Sequence, residues 1–284
     1  MSASHRQDPG DTAPQAHATA PADRRRAREQ AAAIALPAAV FVGALLAWEL
    51  LVRAAGIPHY ILPAPSRIGT TLWENFGSLA PSWWFTIKIT FGALLLAAVG
   101  GVLLAAAFAL SRTVERALLP FAITLQVTPI VAIAPLILIY VESTTAALLI
   151  CAWIVAFFPI LSNTVIGLRA ADPQLRDLFT LYRASPWQRL RWLLVPSALP
   201  YFIAGLKISG GLALIGAVVA EFAAGAAGRE TGLASRILEA SFRTDIPRMY
   251  AALVLVALTG VAIFLLFNLL SRWLLGRWHA SERA

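Results

Sequence analysis

The chain has one cysteine, four histidines and few charges, and each scarcity excludes something. Cys151 has no possible partner within the chain, so an intrachain disulfide framework is excluded. Of the histidines, His5 and His17 lie in a polar N-terminal stretch, and none of the four, including His59 and His279, has metal-ligand spacing with another. There is no HExxH, no nucleophile elbow and no GxxxxGK[ST]. The residue types of metal, acyl-transfer and nucleotide chemistry are therefore not assembled, and the chain is expected to be no enzyme, to bind no metal and to hold no cofactor. Charged residues make up only 13% of the 284 residues and hydrophobic ones 59%, against about 25% and roughly 45–50% in a soluble domain. That balance points to a membrane. The net charge of +8 does not point to nucleic acid, because the arginines fall between apolar runs rather than on one basic domain.

Residues 1–30 read differently, as a disordered tail that ends in the basic run "RRRAR". Six apolar runs follow, at 31–52, 89–110, 117–141, 143–168, 193–220 and 249–271, each near the about 20 residues that cross a bilayer. The first is too long and starts too late for a signal peptide and has further spans behind it, so it reads as an uncleaved helix. The expected fold is thus an all-α polytopic membrane protein of six helices. An even number of spans places both termini on one side. Lysine and arginine number 15 on the side of the termini and seven on the other, which predicts cytoplasmic termini and outward-facing loops at 53–87 and 222–248. Ser209, Ala213 and Ala217 repeat every four residues in the fifth run and predict close helix packing.

The loop at 169–192 is too short and too polar to span. "DPQL" offers Asp172 as a helix cap and Pro173 at the first helical position. Leu175, Leu178, Phe179 and Tyr182 then fall on one face, with Asp177 elsewhere on the helix. Arg183–Ala184 make a turn, and "SPWQ" starts a second helix, with Ser185 as cap, Pro186 first and Gln188 closing a capping box. Such a short amphipathic helix either lies on lipid or fills a groove on a partner, and the residues leave both open. Polar groups within the spans, namely Gln126, Thr128, Ser162, Asn163, Thr164 and Ser209, either line a passage or bond neighbouring helices. Ionisable residues are nearly absent from the spans. Lys207 and the edge residues Glu49, Lys88 and Glu221 are the exceptions, which argues against an ion-coupled secondary transporter or channel, the alternative reading.

These residues carry a resemblance. "LYRASPWQRLRWLLVPSALPYF" with the helix before it resembles the cytoplasmic signature of the permease subunits of bacterial type I ATP-binding-cassette importers, in the nitrate, sulfonate and taurine subgroup. Aligned on "LLVPSALPYFIAGLKI", Asp177 stands at the family's Glu, Leu178 and Phe179 at its two Ala, Arg183 at its Gly and Val195–Pro196 at its Leu-Pro. "LPAPSRI", "TPIVAIAPLILIY", "FFPILSNTVIGLR", "VVAEF" and "TDIPRMYAALVLVALTG" are similar to family segments in the same order. The resemblance implies a first helix and periplasmic segment at 31–81, a permease module at 82–272 with 169–192 as its coupling loop, and a cytoplasmic tail at 273–284. It implies two copies of a cytoplasmic ATP-binding subunit that hydrolyses the ATP, a periplasmic solute-binding protein and a second copy of this chain as partners in the bilayer. Leu175, Asp177, Leu178, Phe179, Tyr182, Arg183, Ala184, Ser185 and Pro186 would be the coupling residues. Bulky Leu178, Phe179 and Arg183 depart from the small residues of the signature and imply a differently shaped groove, with a pyrimidine-like or thiamin-precursor-like solute as another substrate class.

Overall fold

A computed structural model describes the backbone of residues 20–225 and 231–275, and side chains from residue 35 onward within them. The described elements are helical. The expected disordered tail lies outside the described residues up to 19, and from Ala20 the backbone is already helical, so α1 (Ala20–Ala54) starts before the apolar run does. The chain divides into two compact units, residues 1–56 and 57–284. In the first, the apolar side chains Leu36, Val40, Leu46 and Leu50 of α1 are exposed, as a lipid-facing helix requires.

The second unit begins with α2 (Pro65–Leu110). The stretch at 53–87, expected to be an outward loop, is helical from Pro65, because Ala64 is extended and Pro65 takes the first helical position, where its missing N–H is no loss. At ~1.5 Å per residue the helix is about 69 Å long, over twice the hydrocarbon thickness of about 30 Å. Ser111 ends α2 and its hydroxyl accepts from the Val114 N–H to start α3 (Arg112–Val127).

The third apolar run is not one straight span. It is broken between α3 and α4 (Ile130–Tyr140), with axes at 102°. The cause is local: Pro129 donates no N–H, and its ring drives Thr128 out of the helical region to φ −73°, ψ 124°. By length and composition five helices among the described residues can cross a membrane, or six where the bent pair counts as one span.

Three long helices hold the bundle together. α5 (Thr144–Arg169) packs along α8 (Val195–Ala224) and α2, while α10 (Ile246–Leu275) covers α8 and α2. The four-residue repeat is the α5-facing stripe of α8: Ser209, Ala213 and Ala217 are each fully buried. At Gly167 an added Cβ would lie 2.8 Å from the Ala198 Cα, and at Gly216 it would lie 2.9 Å from the Ala152 Cα, so only glycine lets the two backbones approach this closely. Ser209 Oγ donates across the seam to the Ala156 carbonyl at 2.7 Å. Lipid tails are as apolar as leucine, so this close packing and bonding, rather than a hydrophobic gain, joins the helices. Larger side chains fill the rest, with Phe108, Phe157, Ile160 and Phe267 in one cluster and Leu79, Leu233 and Leu255 in another.

The fifth apolar run belongs to a longer helix than expected. α7 (Pro186–Arg189) passes through a widened π turn at Leu190–Leu194 into α8. The widening directly precedes Pro196, whose ring would otherwise crowd the carbonyl four residues back. The supposed loop at 222–248 contains α9 (Leu233–Phe242).

Candidate coupling site

The short helix expected after Asp172 is α6 (Pro173–Leu181). It is fixed at both ends. The Asp172 carboxylate accepts from the Gln174 N–H at 2.8 Å. Arg176 donates to the carbonyls of Leu168 at 3.1 Å and Arg169 at 2.6 Å, clamping α6 to the end of α5. At the far end, the Ala184 N–H bonds the Phe179 carbonyl and the Arg183 N–H bonds that of Thr180, a Schellman motif. That motif needs a left-handed residue after the cap, and Arg183 supplies it at φ 50°. Glycine is the usual residue there, because a Cβ in this region is strained. The Ser185 hydroxyl then accepts from the Gln188 N–H while the Gln188 side chain accepts from the Ser185 N–H, so the capping box is complete.

The expected apolar face exists and is open. Leu175, Leu178 and Tyr182 are exposed, Phe179 and Ala184 are half-buried, and Asp177 stands exposed on the polar side. Leu178, Phe179, Tyr182 and Ala184 line a groove of about 370 Å³ together with Gln188 and Trp192. Ser185 and Pro186 do not line the groove. They start the helix that does. Gln188 and Trp192 escaped the reading of the sequence as groove residues, although they fall four apart on one face of the second helix. Leu181, 80% exposed, falls off the stripe and does not line the groove.

The polar span residues separate into two groups. Thr164 and Ser209 are buried and donate to backbone carbonyls, at 2.6 Å to Ile160 and 2.7 Å to Ala156, so both serve packing within the chain. Asn163 donates to the Pro159 carbonyl at 2.8 Å and Thr128 to that of Thr124 at 2.7 Å, but both remain half-buried, as does Ser162. Gln126 is exposed beside the break between α3 and α4.

At the other end of the bundle a buried carboxylate was legible only as an edge residue. Glu221 of α8 is 1% exposed. It accepts from the Thr86 hydroxyl at 2.8 Å and from the Ala234 N–H at 3.0 Å, and Thr86 in turn accepts from the Leu233 N–H at 2.9 Å. Two side chains from α8 and α2 thus cap α9, whose own Gly232 cannot. Among the described residues no group of three or more His, Cys, Asp or Glu could hold a metal ion.

An all-helical bundle of five or six candidate spans, with a doubly capped amphipathic helix on a short loop between two of them, is the architecture of a polytopic membrane protein. The chain belongs to the family of binding-protein-dependent transport system inner membrane components, whose model matches residues 97–279. It is 34% identical to the riboflavin transport system permease protein RibX of Chloroflexus aurantiacus, over 88% of this chain and 91% of that one. It is 32% identical to the formylaminopyrimidine transport permease protein ThiX of Halalkalibacterium halodurans, over 84% and 95%. A crystal structure of an amino acid ABC transporter superposes with a TM-score of 0.57 at 16% identity, covering 72% of this chain and 97% of that one, and shows the shared fold. The chain is therefore a multi-pass inner-membrane permease of an ATP-driven importer for small solutes, and its relatives are transport proteins rather than enzymes. Membership implies an ATP-binding subunit and a solute-binding protein as partners.

Proposed function

We propose that α6 and the groove behind it are where the ATP-binding subunit grips this permease, and that two copies of each subunit assemble around one translocation path. The observation that carries this reading is the combination of a rigid mount and an open apolar face. α6 is capped at both ends and clamped to α5 by Arg176, yet Leu175, Leu178 and Tyr182 stay exposed. A helix on so firm a mount transmits force, and an exposed face of this kind suits a partner's groove. In this reading the ATP is bound and hydrolysed by the partner, this chain holds no cofactor, and α6 and both termini face the cytoplasm. Closure of the partner moves α5 through Arg176 and α8 through the π turn. The half-buried Ser162, Asn163 and Thr128 and the exposed Gln126 line the path between the copies, whereas Thr164 and Ser209 hold the helices.

For the solute we propose an uncharged nitrogen heterocycle rather than an oxyanion. The two relatives named above at 30% identity or more carry riboflavin and formylaminopyrimidine in their names, and both solutes contain a pyrimidine-type ring. Among the described residues Lys207 of α8 lies 6.0 Å over the Phe264 ring with no second cation beside it to hold a sulfonate or nitrate, and the arginines of α3 and α5 gather at the α6 end rather than along the path. Uptake of labelled riboflavin and formylaminopyrimidine by cells expressing the whole importer, with nitrate and taurine as competitors, tests the substrate class. Competition by the anions and not by the heterocycles would reverse it.

The coupling role is tested at Phe179. Phe179→Ala should weaken association with the ATP-binding subunit by about 1–4 kcal/mol if the ring is a buried anchor. Phe179→Asp should abolish co-purification of the subunit, or separate ATP hydrolysis from uptake, while permease levels in the membrane stay normal. Normal co-purification and uptake in Phe179→Asp would leave α6 a helix that only lies on lipid.

A further inference from the structure

A cavity of about 760 Å³ lies on the opposite side of α6 from the groove. Arg176 faces the cavity and Leu178 the groove, and two residues are about 200° apart around a helix. Its lining divides by chemistry. Arg112, Arg116, Arg169, Arg176 and Arg189 contribute five guanidinium groups, and Glu115 is the single acid among the lining residues. Ala105, Phe108, Leu119, Val165, Leu168 and Leu194 make an apolar wall.

The positive charge is not spent inside the protein. Glu115 is taken by Arg169, with which it forms an ion pair. Arg112 and Arg116 have no acidic partner among the described residues. Arg176 and Arg189 use terminal nitrogens on carbonyls and on Thr180, but their Nε–H groups are buried and bond nothing among the described atoms. Buried donors without acceptors are costly to leave unpaired. Arg112 and Arg116 also sit in the first turns of α3, where the helix dipole adds positive rather than negative potential. Five arginines thus surround an open cavity, two of them with an unbonded buried Nε–H and two others with no acidic partner among the described residues.

We infer that this cavity binds a phosphate group, that of an anionic amphiphile such as an acidic phospholipid headgroup or a soluble phosphate. Guanidinium groups match phosphate oxygens with paired N–H donors. Basic pockets between transmembrane helices are suited to acidic headgroups. The volume exceeds what one phosphate fills and lies in the range of a larger ligand, and the apolar wall gives a glycerol backbone and acyl chain somewhere to lie. Since Arg176 also clamps α6 to α5, an occupied cavity would stiffen the mount of the coupling helix.

The test uses the assembled importer in phosphatidylcholine nanodiscs, with two probes. One arm titrates dioleoyl phosphatidylglycerol and reads retained lipid by native mass spectrometry. The other titrates inorganic phosphate and reads bound anion by calorimetry. Arg112→Gln with Arg116→Gln should weaken the bound probe by roughly ten- to thirtyfold. Ala109→Trp, which fills the cavity and spares every arginine, should weaken it too. Arg272→Gln, on the last turn of α10 and outside the lining, should not. Retention of phosphatidylglycerol that follows this pattern assigns a lipid site, and the same pattern for phosphate alone assigns a soluble ligand. The inference falls if neither probe binds, or if the bound probe is held as tightly by the double variant or by Ala109→Trp as by wild type. The readout is binding and not uptake, so it stands or falls apart from the coupling role of Phe179.

Discussion

The hydroxyl of Thr86 on α2 and the carboxylate of Glu221 on α8 meet at 2.8 Å, although 135 residues separate them in the chain. Their contact also captures the start of α9 through the Leu233 and Ala234 N–H groups. Three helices are thereby tied at one buried point. Glu221→Ala should be destabilising, because the buried Ala234 N–H then loses its acceptor, whereas the Thr86 hydroxyl can turn to the Ser82 carbonyl. The expected loss is about 1–3 kcal/mol, read as a lower thermal midpoint of the detergent-solubilised chain. Gly232→Ala should act through the same carboxylate, since the added Cβ would lie 2.1 Å from it. The two changes should therefore be strongly non-additive, with Gly232→Ala costing much less in a Glu221→Ala background. Additive losses would mean that Gly232 is constrained by something other than Glu221.

Arg183 offers a change that should move two properties in opposite directions. Its left-handed conformation carries strain of about 1 kcal/mol that glycine would not have. Part of the gain from Arg183→Gly is offset by the greater freedom of glycine in the unfolded chain. Thermal stability of the isolated permease should rise slightly or hold. If the guanidinium faces the ATP-binding subunit, co-purification of that subunit should fall in the same variant. A rise in both would show that the arginine is not a contact.

How much of this was legible in the sequence depends on the range of the forces involved. Caps are local, so Asp172, Pro173, Ser185 and Gln188 announced α6 and the second helix to the residue. The small-residue repeat at Ser209, Ala213 and Ala217 announced a closely packed face on α8, because its period is that of the helix, but not that α5 would fill it. The break at Thr128–Pro129 lies inside the run read as one span, and its sharp bend was not foreseen, although Pro129 was visible. Proline within a membrane helix is often tolerated, and only the neighbouring helices decide whether it bends. The start of α2 was set too late because "PSRIGTTLWENFGSLAPSWW" is too polar to resemble a span, yet is a sound helix once Pro65 starts it. The Thr86–Glu221–α9 contact and the arginine-lined cavity depend on residues far apart in the chain. No window along the sequence could join Arg112 to Arg176.

α9 carries a surface triad whose pH dependence has a definite sign. Glu239 accepts from Arg236 at 2.9 Å and pairs with Arg243 at 2.8 Å, and the Arg236 hydrogen bond above all holds its carboxyl below the ordinary carboxylate range. A folded-state pKa below the unfolded one stabilises at pH above the unfolded value, about 4.3, and the contribution is lost as pH falls through the folded value. Because the pairs are partly exposed, the contribution should be under about 1 kcal/mol. The thermal midpoint of wild type should exceed that of Glu239→Gln at pH 7, and the difference should close in acid. A difference that widens in acid would contradict the assigned sign.

The orientation of the chain rests on the balance of 15 lysines and arginines against seven, and two tryptophans make it measurable. Trp73 on α2 is 86% exposed and Trp273 on α10 is 75% exposed. Trp73 lies 37 residues before the end of α2, about 55 Å along the axis at ~1.5 Å per residue, so it clears the hydrocarbon on the side away from α6. Cys151 is fully buried and can be replaced by serine to give a thiol-free background. Trp73→Cys and Trp273→Cys, each alone in that background, then report opposite faces. A membrane-impermeant maleimide added to intact cells whose outer membrane has been made permeable should label position 73 and not position 273. After the inner membrane is opened, both should label. Positive loops are held on the cytoplasmic side during insertion, and the arginines at 112, 116, 169, 176, 183, 189 and 191 all gather at the α6 end. Labelling of position 273 in intact cells with protection of position 73 would reverse the topology. It would also place α6 away from the ATP and so end its assignment as the coupling helix.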